Sequence, residues 1–302
     1  MFENLDFNTP TIDHIYCDDL DQYRVSLGVL RLDKIHPLIN GNKWFKLKHN
    51  IEFARRNNLK QLVSFGGAYS NHIYALAAAG KVFGFDTVGF IRGEIVLPLN
   101  PVLAFARSQG MKLVAVSRSE YRNKHQQDFI KAIHEQYSNC YILPEGGAND
   151  LALQGCAKIV QWLKWHSTAK NRYLAVACGT GSTLAGLIKG ISSSAIAPIP
   201  ELIGIAVLKG QGYLPGEVSR WLQGVTLENP VDWTVMEQYH CGGYAKSSSE
   251  LHAFLTQFAG FTPIPVEPVY TGKLFYGLFD MIKTGRIPPD SEVIAVHSGG
   301  IV

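Results

Sequence analysis

Short, unbroken apolar runs that end in glycine constrain this chain more than any other feature. "YLAVAC" (Tyr173–Cys178) runs into "GTGST", "QLVSF" (Gln61–Phe65) into "GGAYSN", and "EVIAVH" (Glu292–His297) into "SGG". A strand with one wet face alternates apolar and polar residues. These runs do not alternate, so both faces are covered, as in parallel sheets. "DTVGFI" (Asp86–Ile91), "MKLVAV" (Met111–Val116), "CYILP" (Cys140–Pro144) and "LIGIAVL" (Leu202–Leu208) are of the same kind. Helical stretches separate them. They are expected at Ser70–Gly84 with Ser70 or Asn71 near the N-cap, around Pro101–Ser108, over Leu151–His166 and near Leu184–Lys189. "SSSAIAPIPE" (Ser192–Glu201) reads as a surface loop, and Tyr23–Pro37 has room for one or two antiparallel strands. The pattern predicts an α/β fold with mainly parallel sheets, whose ligand loops follow the strands.

With 302 residues, 46% of them hydrophobic, the chain can bury a large core in one to three domains. No apolar run approaches the ~20 residues of a membrane span. The N-terminus lacks a basic start followed by an apolar stretch, so a cytoplasmic protein with no membrane partner is expected. The five cysteines are scattered with no CxxC pair, against a disulfide framework or a thiolate zinc site, and no metal is expected. A net charge of +3, spread along the chain, gives nucleic acid nothing to bind. A soluble enzyme or small-molecule binder remains.

"ACGTGSTLAG" (Ala177–Gly186) is the clearest ligand loop. Backbone N–H groups at such a strand-to-helix turn favour an anion, usually phosphate. Gly179, Thr180, Gly181, Ser182 and Thr183 supply the turn, with hydroxyl donors at Thr180, Ser182 and Thr183. A dinucleotide fingerprint would need glycine where Leu184 stands, and a P-loop would need lysine where Leu187 stands, so the phosphate belongs to neither a dinucleotide nor a nucleoside triphosphate. The alternative is a small-residue turn made for packing. "SFGGAYSNH" (Ser64–His72) has the same shape and suits a carboxylate, or simple capping by Ser70 or Asn71. "LPEGGAN" (Leu143–Asn149) and "HSGG" (His297–Gly300) are weaker loops of this kind. His72 either packs at a helix start or touches a ligand.

Lys43 stands in "GNKWF" (Gly41–Phe45), as a solvated lysine in a turn or as a nucleophile kept deprotonated by its surroundings. A phosphate loop without nucleotide motifs, together with an upstream lysine, fits pyridoxal phosphate, which needs a Schiff-base lysine, a phosphate cup and a partner for its pyridine nitrogen. Here the chain resembles a known family. "GNKWFKLKHNIEFA", "SFGGAYSNH", "LPEGGAND", "ACGTGSTLAG", "EPVYTGKLFYGLFDMI" and "VIAVHSGG" are similar, in order, to the motifs of the pyridoxal-phosphate enzymes that include D-cysteine desulfhydrase and 1-aminocyclopropane-1-carboxylate deaminase. The likeness runs from about residue 30 to the end.

The resemblance implies a tryptophan-synthase-β-like, fold-type II architecture: two three-layer α/β domains with mainly parallel sheets. Residues 1–45 and 154–302 would form the large cofactor-binding domain, residues 46–153 the small domain, and pyridoxal 5'-phosphate would lie in the cleft of a homodimer subunit. Lys43 would be the Schiff-base lysine, Lys46 would lie near the phosphate, and Gly179 through Thr183 would hold it. Asn71 would meet the 3-hydroxyl and Ser298 the pyridine nitrogen. Ser70 would face the substrate carboxylate or assist Lys43 in proton transfer, Tyr270 would be the active-site tyrosine, and Tyr69 and His72 would border a small amino-acid substrate.

The deaminases of that family carry glutamate after the active-site tyrosine and leucine before the final Gly-Gly; here those positions are Thr271 and Ser298. A hydroxyl at the pyridine nitrogen makes a weaker electron sink than a carboxylate, enough for elimination of a thiolate but not for opening an unactivated ring. The resemblance therefore implies α,β-elimination on D-cysteine, giving pyruvate, ammonia and hydrogen sulfide. Its alternatives are 1-aminocyclopropane-1-carboxylate deaminase and a non-catalytic cofactor-binding member. Two departures are Tyr69, where the family carries glutamine, and an end two residues after Gly300, where the family runs about ten further.

Overall fold

The computed structural model describes residues 7–166 and 169–300. In chain order, β1 (Ile12–Ile15), α1 (Asp18–Tyr23) and β2 (Val25–Arg31) lead to α2 (Gly41–Arg56). Then come β3 (Gln61–Gly66), α3 (Asn71–Phe83), β4 (Asp86–Arg92), α4 (Pro101–Ser108), β5 (Lys112–Val116), α5 (Arg118–Arg122), α6 (Gln127–Gln136), β6 (Cys140–Ile142) and α7 (Asp150–Ala157). β7 (Asn171–Cys178), α8 (Ser182–Ser192), β8 (Glu201–Ala206), α9 (Tyr213–Leu222), β9 (Trp233–Met236), α10 (Ser249–Phe261), α11 (Thr271–Lys283) and β10 (Ser291–His297) follow. The described residues form two compact units. The larger holds those up to Asn42 and from Leu153 on, and the smaller is Lys43–Ala152.

The larger unit is built on a six-stranded sheet in the order β1-β2-β10-β7-β8-β9. Every neighbouring pair is parallel except β1 with β2. Its strands read as continuous apolar runs because both faces are covered. Tyr173, Ala175 and Ala177 of β7 pack in one cluster with Phe258 of α10 and Leu274, Phe275 and Leu278 of α11. On the opposite face Gly204 of β8 lies against Leu184 of α8. Each fully buried aliphatic side chain of this core contributes about 1.5–3 kcal/mol relative to exposure.

The smaller unit holds a four-stranded parallel sheet in the order β5-β4-β3-β6. Val63, Phe65, Val88 and Phe90 cluster with Tyr121 of α5 and Ile133 of α6. Gly89, on the other face, lies against Ile73 of α3. The strand period of two turns Ser64 the opposite way from Val63 and Phe65, toward α3.

Most expected strands form where the apolar runs stand. The stretch Tyr23–Pro37 holds one strand, β2, whose antiparallel partner β1 lies upstream and whose other neighbour β10 is parallel. The helix expected over Leu151–His166 stops at Ala157 and continues as a tighter 3₁₀ turn over Lys158–Trp162. There the backbone approaches α8 so closely that a Cβ on Gly190 would overlap Ala157 and Val160. Helices α6, α9, α10 and α11 and the half-buried edge strand β9 were not among the elements expected from the sequence.

Candidate active site

In the larger unit, two loops leave the carboxyl ends of the adjacent strands β7 and β10, where open α/β sheets present ligand sites. After β7 the chain turns through Gly179–Gly181. Gly181, at φ +73°, is the N-cap of α8, and among the described residues no side chain caps that helix, so its first N–H groups are open to an anion. Thr180 Oγ1 lies 3.0 Å from Ser182 Oγ, and Trp221 Nε1 of α9 donates to the Thr180 carbonyl at 3.0 Å, which fixes the loop from behind. Gly179 is bare for a reason: a Cβ there would stand 3.3 Å from the Tyr270 ring.

Asn42 ties this loop to the one after β10. Its Nδ2 donates to Thr183 Oγ1 at 2.9 Å, and its backbone N–H donates to the Ser298 carbonyl at 3.1 Å. Gly41 precedes it at φ +64°, and a Cβ there would run into that same carbonyl. Lys43, the next residue of α2, is half-buried. The Ser298 turn is held from below by His297, whose Nε2–H donates to the Pro265 carbonyl at 2.7 Å while Nδ1 accepts from the Gly299 N–H at 3.3 Å. Burial holds His297 below the ordinary histidine value and outweighs the opposite pull of Asp33.

Tyr270 is set by its backbone. The Glu267 carboxylate accepts from the N–H groups of Val269 at 2.7 Å and of Tyr270 and Thr271 at 2.8 Å, capping α11. The Thr271 hydroxyl is fully buried against the same carboxylate at 3.2 Å. Beside Tyr270, the Tyr244 ring meets it edge-on, centroids 6.0 Å apart.

In the smaller unit, the loops after β3 and β6 form a second cluster. Ser70 caps α3, accepting from the Ile73 N–H at 3.3 Å, and packs against Gly66, where a Cβ would stand 2.7 Å from its Oγ. Asn71 is the half-buried first residue of α3, and Tyr69 is 69% exposed. Lys46 is buried, and its Nζ donates to the Gly146 carbonyl at 3.4 Å. His72 is buried too, its ring lying on Gly147. Its Nε2 is 2.8 Å from Ser64 Oγ, which is also 2.9 Å from the Leu143 carbonyl. A carbonyl only accepts, so the hydroxyl proton goes there and the imidazole carries its own proton on Nε2. Nδ1 is left buried with no hydrogen-bond partner among the described residues. Burial first, then the charges of Lys43 and Lys46, hold His72 well below the ordinary histidine value, so the ring is neutral.

The expected residues thus fall into two groups: Gly179–Thr183, Tyr270 and Ser298 in the larger unit, and Lys43, Lys46, Tyr69, Ser70, Asn71 and His72 in the smaller. Asn42, Ser64, Tyr244 and Glu267 were missed. Glu267 had a signal, a carboxylate four residues before Thr271, and Asn42 stood inside the lysine motif. Tyr244, in a Gly-Gly turn, had none. The uncapped α8 terminus, the bare Gly179 and the pinned Asn42 fit a small phosphorylated cofactor.

The sequence profile of the family described as "Pyridoxal-phosphate dependent enzyme" matches residues 6–299. The chain belongs to the pyridoxal-phosphate dependent enzymes. A Thermotoga maritima protein provisionally named 1-aminocyclopropane-1-carboxylate deaminase is 31% identical to this family member over 294 residues, 93% of this chain and 90% of that protein. The D-cysteine desulfhydrase of Yersinia enterocolitica is 26% identical over 286 residues, 90% of this chain and 86% of that protein. The crystal structure of a 1-aminocyclopropane-1-carboxylate deaminase homologue superposes with a TM-score of 0.81 at 25% identity, covering 99% of this chain and 91% of that one. The fold is that of the fold-type II pyridoxal enzymes, and the cofactor is pyridoxal 5'-phosphate. Among the described residues no helix is long and apolar enough to cross a membrane.

Proposed function

We propose that this enzyme catalyses α,β-elimination on a small thiol amino acid, D-cysteine, releasing hydrogen sulfide, pyruvate and ammonia. The observation that carries the reading is the pair of hydroxyls at Thr271 and Ser298. Ser298 is the residue assigned to the pyridine nitrogen, and Thr271 is turned onto Glu267, whose carboxylate is occupied capping α11. Neither position offers the acid that ring opening of 1-aminocyclopropane-1-carboxylate calls for.

In this reading Lys43 is the covalent anchor, and the N-terminus of α8 with Thr180, Ser182 and Thr183 holds the phosphate. Asn71 orients the 3-hydroxyl, and Lys46 adds positive charge near the phosphate. Pyridoxal phosphate, when bound, supplies the electron sink for the charge left on Cα. Ser70, at the N-terminus of α3, binds the substrate carboxylate. Lys43 Nζ, once free, takes the Cα proton. The C–S bond then breaks, sulfide leaves with the bonding pair, and hydrolysis gives pyruvate and ammonia. Tyr270 stands over Gly179 as a proton donor to the departing group, and Tyr69 and His72 border the substrate. The larger unit serves as the cofactor-binding domain and the smaller as the second α/β domain, in a cytoplasmic homodimer.

The test is the absorbance spectrum of purified wild type and Lys43→Ala, before and after D-cysteine. A band near the visible edge is expected in wild type alone, with sulfide and pyruvate released only by wild type. The same band with no product from D-cysteine, but ammonia and 2-oxobutyrate from 1-aminocyclopropane-1-carboxylate, would overturn the substrate assignment in favour of the deaminase.

A further inference from the structure

Lys273, on α11, is completely buried, yet it pairs with no carboxylate among the described residues. Its Nζ donates to the Gly243 carbonyl at 2.7 Å and to the Val207 carbonyl at 3.4 Å. A buried ammonium is costly unless its hydrogen bonds do something the fold needs. Burial holds it below the ordinary lysine value, against the pull of Cys241 and Glu267.

The segment it grips is strained. Cys241, Gly242, Gly243 and Ala245 all have positive φ, at 49°, 92°, 118° and 53°, and two of these four are not glycine. Side-chain-bearing residues persist there only where the surroundings over-determine the backbone. Inside this segment is Tyr244, whose ring meets Tyr270 edge-on, and Tyr270 in turn lies over Gly179 of the phosphate loop. The other carbonyl, Val207, follows β8, and the Val207 N–H donates to the Cys178 carbonyl at 3.0 Å, just before that loop. One ammonium therefore joins the strained segment to the strand ends that carry the cradle.

We propose that Lys273 is a positioning residue for Tyr270, clamping residues 241–245 so that Tyr244 holds the Tyr270 ring over Gly179. The role of Tyr270 rests on the function proposed above; the clamp does not. Without the ammonium, the Gly243 carbonyl loses its buried donor, the segment relaxes toward ordinary backbone, and Tyr244 leaves the ring. Tyr270 keeps its backbone, which Glu267 fixes, but its hydroxyl loses its aim.

The experiment compares the holoenzyme with Lys273→Met, Tyr244→Ala and the double variant. Met keeps the bulk of the side chain and removes the charge, and Tyr244 is partly exposed, so its variant folds even where the lysine variant does not. Hydrogen exchange over residues 240–246 is expected to rise at least about 10-fold in Lys273→Met while exchange in β7, β8 and β10 stays as in wild type. Turnover is expected to fall on the order of 10- to 100-fold in kcat with KM and cofactor retention little changed, the loss that follows from misplacing a group by about 1 Å. Tyr244→Ala should lose as much, and the double variant no more than either single one. Unchanged exchange over 240–246, or losses that multiply in the double variant, would overturn the clamp. Raised exchange over 240–246 with turnover unchanged would overturn the link to Tyr270. If wild type shows no elimination at all, the exchange result still decides the clamp, so failure of the functional reading and failure of the inference are told apart.

Discussion

Asn42 and Ser64 show how single polar side chains fix the loops of each unit. The Asn42 amide bridges to Thr183, and its backbone bonds Ser298, so the residue before Lys43 answers to both loops of the larger unit. Asn42→Ala removes one buried hydrogen bond and leaves the Thr183 hydroxyl short of a partner. Cofactor should dissociate about 5- to 10-fold faster, corresponding to ~1 kcal/mol, as read by loss of visible absorbance on dilution. An unchanged rate would mean that the amide only packs. Ser64 acts on His72 in the same way. Ser64→Ala leaves the Nε2–H buried without an acceptor, and urea unfolding should report a loss of about 1–3 kcal/mol. A difference inside ~0.5 kcal/mol would show that the imidazole had found another partner.

Helix starts do the corresponding work at the scale of elements. α3 is capped by its own Ser70, α11 by the Glu267 carboxylate, and α8 by no side chain at all. At α11 a carboxylate of the protein already takes three N–H groups, at α3 the Ser70 hydroxyl takes one, and the α8 end stands open, the arrangement that suits an anion best. Glu267→Ala uncovers three N–H groups at the start of α11. A stability loss of about 1–2 kcal/mol is expected from the lost cap, with a rise in KM or fall in kcat because Tyr270 sits at that terminus. A variant as stable as wild type would show that water replaces the carboxylate. The Ser70 cap and the turn from β7 into α8 were legible because small polar residues and glycine after an apolar run commonly turn the chain and start a helix. The Glu267 cap was less so, because a carboxylate four residues before a helix start also reads as an ordinary surface charge.

At the scale of the whole molecule, two neutral buried histidines make the fold sensitive to acid. Burial depresses His72, reinforced by Lys43 and Lys46, and depresses His297 despite Asp33. As pH falls below the ordinary value of 6.5, the unfolded chain takes up protons that the folded chain refuses. Stability is then full above that value and lost as pH falls toward the lower folded values, by at most about 1.4 kcal/mol per pH unit for each histidine. Thermal unfolding scanned downward from neutral pH should show the decline begin near the histidine range, before most carboxylates titrate. His72→Gln should flatten it. A decline confined to carboxylate pH, identical in the variant, would show that His72 is not held neutral.

The sequence by itself determined the layers and the loops. Unbroken apolar runs demand two covered faces, and glycine and small hydroxyl residues after them demand turns that admit a ligand. The order of motifs around Lys43, Asn71, Gly179–Thr183, Tyr270 and Ser298 carried the family. Only the tertiary structure decided which side chains serve those motifs from a distance. Lys273 reads as one more helical lysine and Ser64 as one more strand residue. The ammonium on Gly243 and the hydroxyl on His72 join residues 30 and 8 positions apart, and the backbone path that brings them together is set by packing, which no local pattern encodes.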